Sequence, residues 1–228
     1  MPRINALNIL LESDGKEYLA ELYGKTIEGV QKALISGSMK NMDLSGDPVS
    51  GTVEAKRFVN ATPKNYGTAR TAGKGDAVKA KPVTVAIDTD KELITEVEQK
   101  DVSLYGVDNF IERQVAMDEK SMIRELERDF FAKASAASTK VTPKGTTPQE
   151  KLEELIQAVE TVSNDYVDGV ERDMIAVVCA PAFYGQIRTY LDNANHNTKD
   201  EEVDTYHGVK VYSSVYLPAT DEAIAMAE

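Results

Sequence analysis

The chain has 228 residues, 42% of them hydrophobic and 28% charged, which suits one sizeable folded domain or two small ones and excludes a disordered chain. Its net charge of -12 argues against general binding to DNA, RNA or anionic membranes. A single cysteine excludes an intrachain disulfide and a multi-cysteine metal site, as expected in a reducing compartment. The first residues, MPRINALNILLESDGKEY, hold an apolar run too short to cross a membrane and lack the pattern of a secretory leader. An intracellular protein, soluble when made, is the expectation.

Residues 1–50 read as helical segments followed by a linker. Leu19, Leu22, Ile27, Val30 and Leu34 recur at helical spacing, with a break predicted at Gly24 and a stop near Gly37. SGSMKNMDLSGDPVSG then reads as linker. Residues 52–59 (TVEAKRFV) have strand character, and NATPKNYGTARTAGKGDA reads as an exposed loop. From Val83 the alternation is clean, and one strand from about Val78 to Val97 would run roughly 65 Å at about 3.3 Å per residue. A strand of that length must project from its own body.

A helix is predicted over residues 107–134, with Asp108 as N-cap and an apolar stripe through Ile111, Val115, Met122, Leu126 and Phe130. Its other face, including Glu112, Arg113, Asp118, Lys120, Arg124, Glu127 and Arg128, mixes both signs and is expected to be exposed. After a small-residue boundary at 135–147, Thr147, Pro148 and Glu150 make a capping box, and the helix they start should bury Leu152, Leu155, Ile156, Val159 and Val162. MIAVVCA (174–180) reads as a central strand covered on both faces. Pro181 starts a helix through Phe183, Ile187 and Leu191, and YHGVKVYSSVYL turns at Gly208 into a strand with Val209, Val211 and Ser213 on one side.

Charge is distributed unevenly. Residues 51–82 carry Lys56, Arg57, Lys64, Arg70, Lys74, Lys79 and Lys81 against Glu54 and Asp76, a local +5 that leaves -17 to the other 196 residues. A basic arm on an acidic body suits docking on another copy of that body. A nucleic-acid arm would interleave aromatics, and Tyr66 stands nearly alone among these cations.

The candidates for chemistry are weak. GTARTAGKGD misses the phosphate-loop pattern, with Thr68 where the first glycine belongs and Gly75 where Ser or Thr should follow Lys74. Cys179 lies inside an apolar run, where a buried small hydrophobe is expected, and His196 and His207 lack a partnering pattern. Asp88, Asp90 and Glu92 alternate on a strand without the central glycine of a calcium loop. No catalytic, cofactor or metal residue is nominated, and the chain is expected not to be an enzyme.

The sequence of elements, with MIAVVCAPAFYGQIRTYLD followed by a polar loop and HGVKVYSSVYLP, resembles the major capsid protein of tailed bacteriophages, the Hong Kong 97-type fold. The resemblance implies an α+β fold with an N-terminal arm (1–50), an extended hairpin loop (51–82), a peripheral domain with a long spine helix (83–140) and an axial domain (141–228). It implies pentamers and hexamers of one chain in an icosahedral shell around double-stranded DNA held without sequence-specific contact. A separate scaffolding protein and a portal would be partners. Assembly would take place in the bacterial cytoplasm and the product would be the virion, with no membrane and no cofactor. Lys56, Arg57, Lys64, Tyr66, Arg70, Lys74, Lys79 and Lys81 would be the subunit-interface residues of the extended loop. Members of the family usually continue with strands returning to the peripheral domain, whereas this chain stops at DEAIAMAE. The alternatives are an encapsulin-type nanocompartment shell and an α/β enzyme that uses Lys74 and its glycines as an anion loop.

Overall fold

The computed structural model describes residues 24–40, 44–45, 51–59, 65–66, 80–87, 89, 91–93, 107–195 and 205–227; the expectations for Leu19, Leu22 and residues 196–204 lie outside these. The fold is α+β, with several helices and two small sheets. The chain divides into two units. One comprises Met1–Ser38, Lys91–Ser138 and Val215–Asp221, and the other Met39–Asp90, Thr139–Ser214 and Glu222–Glu228.

In the first unit, the segment before the predicted break, residues 17–23, lies outside the described residues, and residues 24–33, Gly24 included, form helix α1. Its Thr26 and Val30, four residues apart, are buried, and a 3-10 turn at Ile35–Ser38 follows. Helix α2 runs Val107–Ala137, 31 residues and roughly 46 Å at 1.5 Å per residue. It begins one residue before Asp108, which therefore sits in the first turn and is not the cap. The expected apolar stripe is not what the helix buries. Met122 and Leu126 are exposed, while Phe131 is fully buried, with Glu127 and Ser135 buried one turn to either side of it. Residues 115–130 hold apolar positions on two sides of the helix, and periodicity alone does not rank them.

Glu127 is the larger correction. Expected on the exposed charged face, it is 1% exposed, and its Oε1 accepts the backbone N–H of Ser36 at 3.0 Å. The 3-10 turn presents a buried N–H that needs an acceptor, and the carboxylate supplies one. Among the described residues, Glu127 Oε2 and Ser36 Oγ have no hydrogen-bond partner.

The second unit contains both sheets. Strands β1 (Leu44–Ser45), β2 (Thr52–Phe58) and β3 (Ala80–Ala86) form an antiparallel sheet in that order. The strand within the predicted linker, β1, pairs Leu44 with Ala55 and Ser45 with Glu54. The predicted 65 Å strand ends at Ala86, because its partner begins at Thr52 and Gly51 turns away with φ +77°. The Ile87 N–H donates to Gly51 O at 2.8 Å and closes the ladder there. Residues 87, 89 and 91–93 lie outside any strand.

Helix α3 (Pro148–Glu160) starts as predicted. The Thr147 hydroxyl accepts the Glu150 N–H at 3.2 Å, and the Glu150 carboxylate accepts the Thr147 N–H at 3.0 Å. Strand β4 (Ile175–Cys179) has all five residues buried and lies between β6 (Val209–Ser213), parallel, and β7 (Ala223–Ala227), antiparallel. Helix α4 (Pro181–Asn195) connects onward to β5 (Thr205–Tyr206), which completes the order β5-β6-β4-β7. Leu152 and Ile156 of α3, Phe183 and Ile187 of α4, and Ile175, Val177 and Cys179 of β4 share one apolar cluster, each helical pair spaced four residues apart. Val162, expected in this core, lies past the helix end and is 41% exposed. Val209, Val211 and Ser213 alternate along β6 as expected, with the valines buried and Ser213 exposed at the strand end. The β5–β6 turn places His207 at φ 47° and Gly208 at φ 92°, the two positive values a tight two-residue hairpin turn requires.

Candidate interaction surface

The hairpin β2–β3 is the candidate surface that the basic arm of the sequence predicts. Its register pairs Val53 with Val85, Ala55 with Val83 and Arg57 with Lys81. Directly opposed residues share a face, so one face runs from valines near Gly51 to two cations near the loop end. Residues 83–87 of β3 and after it are exposed on both faces, and Phe58 on the alternate face is 62% exposed. An edge strand that is apolar and open on both sides is a surface awaiting a partner.

Of the predicted interface residues, Lys56 and Arg57 fall in β2 and Lys81 in β3. Tyr66 lies outside regular structure and is 92% exposed. Lys64, Arg70, Lys74 and Lys79 lie outside the described residues, as do the anion-loop candidates Thr68 and Gly75.

Burial pushes the Cys179 thiol up to about 12, so it stays protonated at neutral pH, the opposite of a nucleophilic thiolate. His207 stands edge-on to Tyr206 with ring centroids 4.6 Å apart. Among the described residues, no group of three or more His, Cys, Asp or Glu is placed to hold a metal ion. Asp88 and Asp90 lie outside them, and Glu92 is exposed. No helix among the described residues is long and apolar enough to cross a membrane.

One polar cluster in the second unit went unnoticed in the sequence, because its members are distant along the chain. Arg172, in a 3-10 turn at Arg172–Met174, bonds Glu153 at 2.6 Å and lies 3.5 Å from Glu160, while Gln149 Nε2 donates to Tyr206 Oη at 3.0 Å. The Arg172 hydrogen bond holds the Glu153 carboxyl below its ordinary value. A depressed carboxyl pKa contributes stability above its unfolded value, and that stability is lost as pH falls through the folded value. The stability gap between wild type and Arg172→Gln should therefore be widest near neutrality and shrink under acid. Urea midpoints measured down a pH series check this, and a constant gap would remove the Arg172–Glu153 pair as its source.

No protein-family model matches this sequence, and no curated protein is similar to it. A solved structure does match. A chain from Mycobacterium phage Che8 is similar over 77% of this chain and 66% of its own length, at 16% identity and a TM-score of 0.49. This chain therefore spans about two thirds of that one.

Proposed function

We propose that this protein is a shell-forming structural subunit of the tailed-phage major capsid type, which assembles with copies of itself and not with a substrate. The observation that carries the reading is the β2–β3 hairpin, whose open apolar face ends in the opposed pair Arg57 and Lys81. In a chain of net charge -12, the most abundant acidic surface available to that hairpin is another copy. Lys56, Lys64, Arg70, Lys74 and Lys79 extend the same basic arm, with Tyr66 exposed among them. Packaged double-stranded DNA, a scaffolding protein and a portal are the further partners this role entails.

Electron microscopy of the expressed protein, alone and with its scaffold, tests the role, with closed shells the expected result. Reversing Arg57→Glu and Lys81→Glu together keeps like charges opposed within the hairpin, so its own stability changes little. The double variant should stay as free subunits where wild type assembles, and wild-type assembly should weaken with salt as charges are screened over about 8–10 Å. Shells from the double variant at wild-type yield would refute hairpin docking.

A further inference from the structure

The second unit has another hairpin, at residues 162–169 between α3 and β4, whose charge is opposite to that of β2–β3. Ser163 and Asp168 oppose each other across it, and the Gly169 N–H donates to Val162 O and the Asn164 N–H to Val167 O, each at 2.8 Å. Val162 therefore lies opposite Gly169 and Val167 opposite Asn164, so both valines share one face. With no side chain across from Val162, that face stays open, and the two valines are 41% and 37% exposed. The Asn164 Oδ1 accepts the N–H groups of Tyr166 and Val167 at 2.9 and 3.0 Å, which fixes the tip with Asp165 exposed on it. Residues 161–171 contain Asp165, Asp168 and Glu171 and no Lys, Arg or His. The next residue, Arg172, is taken by Glu153 and Glu160. Asp165 and Glu171 are exposed and, among the described residues, have no ion-pair partner.

We infer that this acidic hairpin is the seat on which the basic β2–β3 hairpin of a second copy docks. This rests on the shell reading and adds to it the surface that receives the arm. The two faces match in kind and in spacing. On β2–β3, Val53, Ala55, Val83 and Val85 share a face with Arg57 and Lys81 and with no acid, and Lys81 lies two positions from Val83. On the acidic hairpin, Asp165 lies two positions from Val167. Valine stacked on valine thus brings opposite charges together at the ends, where they set orientation around a buried apolar centre. Both hairpins belong to one unit and both faces stay open there, which leaves the contact to a second copy. Such a heterologous contact repeats from copy to copy. Among the described residues, no group of three His, Cys, Asp or Glu is placed to hold a metal ion, so a cationic protein surface fits the seat better than a divalent cation. The concentrated cations of this chain are those of residues 51–82, at +5.

Charge exchange in the full-length chain tests the contact. Asp165→Lys/Glu171→Lys sets like charges against Arg57 and Lys81 and should cut assembled protein by about tenfold or more. Adding Arg57→Glu/Lys81→Glu to the same chain exchanges the signs of both faces and should restore assembly. Circular dichroism should show wild-type folding, since Asp165 and Glu171 are exposed. Independently, Val83→Cys copies mixed with Val167→Cys copies should give a disulfide-linked dimer under mild oxidation, and neither copy alone should, with Cys179 silent because it is buried. That mixture keeps all native charges, so it decides the question even if the charge variants misfold. If wild type forms shells and Asp165→Lys/Glu171→Lys matches its yield, or if the mixed copies fail to cross-link within shells, the seat is wrong and the shell reading stands. Loss of assembly that the exchange does not restore, without the cross-link, would give the acidic hairpin to another cationic partner and overturn the inference. If wild type stays monomeric with its scaffold, the shell reading fails, and the contact survives only if the mixed cysteine copies still cross-link.

Discussion

Replacing Ile156 with alanine should lower the stability of the second unit by roughly 2–5 kcal/mol, the largest single effect expected in this chain. Ile156 has no solvent exposure and lies in the cluster formed by α3, α4 and the central strand β4. Truncation removes the transfer free energy of three carbons and leaves a void that β4, buried along its whole length, has little freedom to fill. Val162→Ala, one residue past the end of α3 and its cap, is the matched control and should cost well under about 1 kcal/mol, as exposed substitutions usually do. Urea unfolding followed by circular dichroism measures both. Two units allow two transitions, and only one of them should move. Equal midpoints for the two variants would mean that Ile156 is not a core residue.

Glu127 should separate two effects that one buried carboxylate combines. Glu127→Gln keeps a side-chain oxygen for the Ser36 N–H and removes a charge from a site with 1% exposure. It should leave stability unchanged or raise it, because a buried charge without a partner costs free energy. Glu127→Ala abandons the buried Ser36 N–H and opens space beside Phe131, and should cost roughly 1–3 kcal/mol from the unpaired N–H alone. Proteolysis within residues 24–40 should accelerate in the alanine variant and not in the glutamine variant. Indistinguishable variants would dismiss the Ser36 contact as what holds this turn.

Local signals were legible in the sequence where local physics decides. Thr147, Pro148 and Glu150 placed the start of α3 correctly because a capping box is chemistry within four residues. MIAVVCA identified β4 because a continuous apolar run bounded by Pro181 is covered on both faces in most settings. Partner-dependent features were not legible. The end of β3 is set by where β2 begins, 34 positions earlier at the paired Thr52–Ala86, so alternation beyond Ala86 had no strand to meet. The alanines of β7 are too weakly apolar to announce a strand, and they become one by pairing Ala225 with Val177. Glu127 looked like any surface glutamate because the N–H that it satisfies lies 91 residues away. The basic hairpin was visible as charge, and its register then turned a +5 count into a face with an apolar length and a cationic end.

The position of β7 beside β4 also has a consequence in time. During synthesis the ribosome finishes β4 at Cys179, its parallel neighbour at Ser213 and its antiparallel neighbour only at Ala227. At about 5–20 residues per second, the most apolar segment of the second unit has one bare edge for roughly 2–10 s. In that interval the nascent chain offers Val177 and its neighbours to any strand that arrives first, including one from a chain on an adjacent ribosome. Chaperone demand for this protein should therefore rise once Cys179 has emerged and fall sharply once Ala223–Ala227 has emerged.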